Sequence, residues 1–260
     1  MKIPGRTTSL DAVPYYHEIR EALAQPGCPF CRMVARSEDR YLDAILWEQV
    51  NDPTTRAELN EARGYCQQHG WVLVRPGAAV GVAILTQGVL QTLLSVLDST
   101  PVENIGKPLL HGLRRAPDGE HVSRATADLT ASLSPQIPCP VCTHVQDLEL
   151  AYADTFLAHL EGPGELAGIY CASDGLCLAH FRLTLARAPS GAEGNALVAA
   201  QRSVWQRLHG ELAEFIRKSD HRFRDETFGP ERDAWRRALE AISGPQPRSE
   251  SDRQSLTRSK

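Results

Sequence analysis

Eight residues of metal-binding type stand in this chain as one pattern written twice. Cys28, Cys31, Cys66 and His69 recur as Cys139, Cys142, Cys177 and His180, each displaced by the same 111 positions (139 − 28, 142 − 31, 177 − 66 and 180 − 69). Each set reads C-P-x-C, then 34 residues (66 − 31 − 1), then C-x-x-H. Three thiolates and one neutral imidazole match a tetrahedral Zn²⁺ site with every position filled, the chemistry of a structural rather than a catalytic zinc. The spacing predicts two such sites, each joining a CPxC to the CxxH that follows it along the chain. An iron–sulfur cluster is a weaker alternative for the same ligands.

The spacing has a mechanical logic. Two sulfurs of C-x-x-C reach one ion only when the backbone between them turns tightly, and a proline in that gap fixes φ for a turn or a helix start. A cysteine in a first helical turn has its thiolate stabilised by free N–H groups and the helix dipole. C-x-x-H places cysteine and histidine one helical turn apart on one face. Three thiolates against Zn²⁺ leave a formal charge near −1, which nearby arginine or backbone N–H groups must offset. CPFC and CPVC also resemble the dithiols of thioredoxin-like oxidoreductases, but that chemistry expects a βαβ setting and leaves the CxxH pairs unused.

Other chemistry-bearing residues are weaker. Cys171 is left over and reads as a small buried apolar residue. His144, close behind CPVC, is a spare ligand or, by preference, a surface histidine, because position 33, its counterpart, is a methionine. The segment FIRKSDHRFRDE (215–226) reads as a solvated helix end with local ion pairs; the sharper alternative is an anion- or partner-docking surface of Lys218, Arg222 and Arg224. Trp205 and Trp235 read as core. No G-x-S-x-G, Gly-rich phosphate loop or H-E-x-x-H is present.

The elements that position these residues are helical. Hydrophobic periodicity and breakers predict helices over 14–25, 30–50, 53–62, from about 66 to before Pro76, 78–98, 124–133, 141–160, 177–187, 193–219 and 230–242. Residues 161–175 read as a Gly-rich loop. The recurrence extends past the ligands: Glu38, Tyr41, Asp43, Leu46 and Gly64 return as Glu149, Tyr152, Asp154, Leu157 and Gly175 at the same offset. The fold reading is an all-α tandem duplicated helical repeat with two metal-clamped knuckles. The first repeat covers 14–98, a linker 99–123, the second repeat 124–243, and a disordered tail 244–260. Residues 76–97 hold no charge and are long enough to span a bilayer. A seam of Val82, Leu85, Val89, Leu93 and Val96 instead predicts a buried helix of a soluble protein and no membrane span.

Composition narrows the class. With 260 residues, 42% hydrophobic and 23% charged, the chain is that of an ordinary globular protein. A net charge of −4 gives no overall positive field, so nucleic acid is not an expected partner. The N-terminus lacks the apolar core of a secretory signal, which predicts a cytoplasmic protein with reduced thiols, where metal binding is favoured over disulfides.

CPFC with the downstream Tyr41, the run WEQVNDPTTRAEL (47–59), GYCQQH (64–69) and EFIRKSDHRFRDE (214–226) followed by Trp235 together resemble an uncharacterised bacterial family of helical proteins, a domain of unknown function, over about 15–243. The resemblance implies a helical fold and no activity. The functional expectation is a non-enzymatic interaction or regulatory module with two structural zinc ions and a protein partner. The alternatives are a thiol redox sensor that releases zinc on oxidation, or an enzyme working in a cleft between the repeats.

Overall fold

A computed structural model describes residues 13–99, 124–161, 166–188 and 191–247. Among these, every regular element is helical: α1 (Tyr16–Leu23), α2 (Pro29–Trp47), α3 (Pro53–Glu61), α4 (Gln67–Val72), α5 (Ala79–Asp98), α6 (Arg124–Leu133), α7 (Pro140–Leu160), α8 (Leu166–Ala172), α9 (Leu178–Arg187), α10 (Gly191–Lys218) and α11 (Ala234–Ser243), with 3₁₀ turns at His221–Phe223 and Pro230–Asp233. The all-α expectation holds. The linker after Ser99 and the tail after Gln246-Pro247 lie outside the described residues.

The breakers act where the sequence places them. Asp52 caps α3, its carboxylate accepting from the Thr55 N–H at 2.7 Å, and Pro53 takes the first helical position. Some readings need correction, among them Trp235, expected in the core and 55% exposed. The supposed loop 161–175 contains α8, because Leu166 and Tyr170, one turn apart, are both fully buried. The predicted last helix begins as a 3₁₀ turn at Pro230–Asp233 before α11.

The residues separate into two compact units. One joins the described residues up to Glu38 to those from Val145 onward; the other is Asp39–His144. The sequence halves 14–98 and 124–243 therefore do not coincide with the units. Each unit draws on both halves, because α2 starts in the first and ends in the second, and α7 does the reverse.

In the first unit, Tyr16, Ile19 and Leu23 of α1, Phe30 and Met33 of α2, Tyr152, Phe156 and Leu160 of α7, Tyr170 of α8, and Leu197 and Val204 of α10 form one core. In the second, Ile45 of α2, Leu59 of α3, and Leu85 and Val89 of α5 form another, joined by Tyr41, Val50, Tyr65 and Leu93. Among the described residues α5 is the one helix long and apolar enough to cross a membrane. The expected burial of this helix is only partly met: Leu85 and Val89 are buried, while Val80, Leu90, Leu94 and Leu97 are exposed.

The charged segment 215–226 pairs its cations locally. Arg217 bonds Glu214 and Glu226, Arg222 bonds Asp220 at 2.7 Å, and Lys218 bonds Glu231 at 2.7 Å. Glu231 is buried and also accepts the Gly229 N–H at 2.8 Å. That N–H and then the Lys218 ammonium pull its carboxyl from 4.5 down to about 2. A carboxyl whose pKa is depressed on folding stabilises the fold above its unfolded pKa and loses that contribution as pH falls through its folded pKa. Stability contributed by Glu231 is thus complete above about pH 4.5 and gone near pH 2. Glu231→Gln should lower stability at neutral pH and flatten the stability profile between these limits. Denaturant titrations at several pH values check this; parallel profiles for the two proteins would refute it.

Candidate metal centre

Two clusters of ligand atoms form, and their membership corrects the sequence expectation. Cys28 and Cys31 meet Cys177 and His180, whereas Cys139 and Cys142 meet Cys66 and His69; within each group all four ligand atoms lie within 4.8 Å of one another. All eight predicted residues are brought together, but each CPxC joins the other half's CxxH. The quartets Cys28, Cys31, Cys66, His69 and Cys139, Cys142, Cys177, His180 do not converge.

The physical reason is the length of α2 and α7. A 19-residue helix is about 28 Å long, so the chain leaving Cys31 is far from it at Trp47. There α3 packs on Ile45 through Leu59, and Tyr65, next to Cys66, joins that core. The first CxxH therefore emerges beside the C-terminal end of α2, not beside its own CPFC.

Each cluster is built at two helix N-termini. Cys28 and Cys139 stand immediately before Pro29 of α2 and Pro140 of α7, and Cys31 and Cys142 lie in the first turns. Cys66 and Cys177 occupy the N-cap positions of α4 and α9 with nearly the same backbone, φ −63°, ψ 165° and φ −67°, ψ 162°. Their carbonyls accept from the N–H groups of Gly70 and Phe181, each at 2.8 Å, which sets His69 and His180 on the inward face. Lead-in contacts hold the pairs together. In the first unit the Gly27 N–H donates to Asp174 at 2.7 Å, just before Cys177. In the second the Gln136 N–H donates to the Glu61 carbonyl at 2.9 Å, and Arg63 donates to the Ser132 carbonyl at 2.7 Å.

The separations fit a tetrahedral ion. Zn–S bonds of about 2.3 Å and Zn–N bonds of about 2.05 Å at tetrahedral angles require S···S near 3.8 Å and S···N near 3.6 Å. Cys31 and Cys177 sulfurs are 3.7 Å apart, as are those of Cys66 and Cys142. His180 Nδ1 lies 3.5, 3.2 and 3.3 Å from the sulfurs of Cys28, Cys31 and Cys177. His69 Nδ1 lies 3.2, 3.6 and 3.3 Å from those of Cys66, Cys139 and Cys142. All seven cysteines are free thiols.

Groups within each cluster shift one another's acidity. Hydrogen bonds from Cys28 and Cys31 hold Cys177 far below the ordinary thiol range, and burial opposes them. The bond to Cys177, then that to Cys28, then burial push Cys31 far up. Burial pulls His180 down, but its bonds to Cys177, Cys28 and Glu149 outweigh that and carry it up to about 12. Burial and then the Cys66 bond push Cys142 up to about 12. A divalent ion bound by three sulfurs replaces their protons, so binding releases protons and strengthens as pH rises.

Supporting residues were only half legible. His180 Nε2 lies 3.1 Å from the Glu149 carboxylate, which fixes Nδ1 toward the sulfurs. Glu149 was visible as a recurrent residue, and its carboxylate role was not. Asp154 and Asp43, also recurrent, accept from Arg187 at 2.7 and 2.8 Å and from Arg75 at 2.8 Å. Tyr152 packs against Phe30 of CPFC, and Tyr41 stacks on His144 at 4.3 Å, so His144 is a half-buried packing partner rather than a surface residue. Arg32 donates to the Ala22 carbonyl at 2.7 Å and lies within electrostatic reach of Cys28 and Cys31. Cys171 is half-buried against the first core and belongs to neither cluster.

The profile of a family of unknown function matches residues 15–249. No curated protein and no solved structure matches the chain.

Proposed function

The chain belongs to this family of unknown function, DUF6062, and from its own residues we propose a non-enzymatic interaction or regulatory module held together by two structural zinc ions. The observation that carries the reading is the match of both clusters to tetrahedral three-sulfur, one-nitrogen spacing. Each ion has four protein ligands and no open position, so it supplies folding energy rather than a reaction centre. The recurrence at one offset supports duplication of an ancestral helical unit, after which each CPxC engaged the opposite CxxH. The oxidation-sensing alternative rests on a narrow crevice, lined by Gly27, Cys28, Asp174 and Cys177 among others, that leads to the first cluster.

Metal analysis of the purified chain should give about two zinc per chain, and His69→Ala or His180→Ala about one. Iron with a brown colour, or a metal content near zero in protein purified without chelators, would refute the reading. Dilute peroxide should leave the zinc bound; reversible release at low dose would favour the sensor instead.

A further inference from the structure

The apolar helix α5 carries a second stripe that lies outside the core formed by the described residues of its unit. Val80, Ala83, Gln87, Leu90, Leu94 and Leu97 are all exposed and follow one another by three, four, three, four and three residues. That is the a/d seam of a heptad repeat, the pattern by which one helix packs along another. At about 100° per residue the seam lies nearly opposite the buried Leu85 and Val89. Trp47, 60% exposed, lies 3.3 Å from where a side chain on Gly77 would begin, so the apolar surface continues past the start of the helix.

We propose that α5 is the homodimer interface of this protein, packed antiparallel on α5 of a second copy. Charge selects the partner. No charged residue lies between Arg75 and Asp98, so two copies meet without like-charge opposition, and a charged partner would find nothing to pair with. Asp98 stands at the C-terminal end of its own helix, where the dipole disfavours a carboxylate. A two-fold axis at the seam's centre sets Asp98 beside the partner helix's N-terminal turn, where the dipole favours it. The same axis pairs Val80 with Leu97, Ala83 with Leu94, and Gln87 with Leu90 of the other copy. Small thus faces large in the outer layers, whereas a parallel pair would oppose Ala83 to Ala83 and leave a void.

A lipid bilayer suits this face less well. Arg56 Nη2 sits 3.4 Å from where a Cβ on Gly88, at mid-helix, would stand. Guanidinium at that depth is costly in hydrocarbon.

Sedimentation velocity on the full zinc-loaded chain should give twice the chain mass. Leu90→Glu with Leu94→Glu should reduce it to one chain mass while helical circular dichroism and metal content stay unchanged. If that variant fails to fold, a mixture of Ala83→Cys and Leu94→Cys chains decides, because the antiparallel register links position 83 of one copy to position 94 of the other. A monomeric wild type overturns the proposal, whether the seam is covered by the chain's own residues or the monomer floats with phosphatidylcholine–phosphatidylglycerol vesicles. A dimer that survives both glutamates overturns it, as does linkage of position 83 to position 83. None of these outcomes depends on which metal the clusters hold.

Discussion

A chain with Cys31 and Cys177 both replaced by serine should keep one zinc, whereas a chain with Cys31 and Cys66 both replaced should keep none. The first pair of changes falls in one cluster; the second damages both. Pairing of each CPxC with the nearest CxxH would give the reverse result, so metal content alone separates the two connectivities. The stability effects should be large. Zinc binding by small peptides contributes on the order of 10 kcal/mol or more to folding. A whole domain is stable by only about 5–15 kcal/mol. The Cys31→Ser, Cys177→Ser chain should therefore lose cooperative unfolding of the unit that contains α9 and α10 and keep that of Asp39–His144. The doubly damaged chain should lose both. Thermal unfolding followed with metal analysis checks this, and an unaltered melting profile in the first variant would show that its cluster holds no structural ion.

The eight clustered residues are legible in the sequence and their connectivity is not, for one reason. An offset of 111 positions leaves both local motifs unchanged whichever partner each takes. Proximity along the chain favours the nearer pairing only weakly. Closing Cys31 on Cys177, 146 positions away, rather than on Cys66, 35 positions away (66 − 31), costs about two doublings of loop length, or about 1.2 kcal/mol. That is small beside one zinc site. Two long helices that carry each knuckle away from its neighbour decide the matter, and helix length was readable; the packing at the far end of α2 was not.

Helix α5 shows the same limit at the level of burial. Of the seam Val82, Leu85, Val89, Leu93 and Val96, expected to face a core, Leu85, Val89 and Leu93 do so. The helix is nonetheless apolar on the opposite side as well. Where hydrophobic residues surround a helix, periodicity identifies stripes without saying what covers each one. Helix α8 was missed because glycines at 162, 164 and 168 outweighed the spacing of Leu166 and Tyr170. Recurrent Glu149 and Asp154 were visible as repeated letters. Their partners His180 and Arg187 lie about 30 positions away on another helix, a distance over which residue spacing carries no contact information.

Gly175→Ala should be far more damaging than Gly64→Ala, although the two glycines occupy matching positions two residues before a CxxH cysteine. Both have left-handed backbone, φ 68° at Gly175 and 101° at Gly64, so alanine at either costs about 1–2 kcal/mol in the backbone. Their surroundings differ. A Cβ on Gly64 would meet Val89 at 3.8 Å, an ordinary contact. A Cβ on Gly175 would sit 3.1 Å from Val204 Cγ1 and 3.3 Å from Gln201 Nε2. Gln201 is buried and cannot yield freely. Its amide donates to the Leu176 carbonyl at 3.2 Å and accepts the Tyr170 hydroxyl proton, and that hydroxyl accepts the Leu176 N–H at 3.0 Å. Displacing Gln201 loosens the residue that leads directly into Cys177. Overpacking adds about 1–3 kcal/mol to the backbone cost, so Gly175→Ala should lose about 2–5 kcal/mol against about 1–2 kcal/mol for Gly64→Ala. The first cluster should also surrender its zinc to a chelator faster in the Gly175 variant alone. Denaturant unfolding and chelator-competition kinetics measure both quantities. Equal losses at the two glycines would mean that backbone conformation, and not the buried Tyr170–Gln201 network, holds the second CxxH in place.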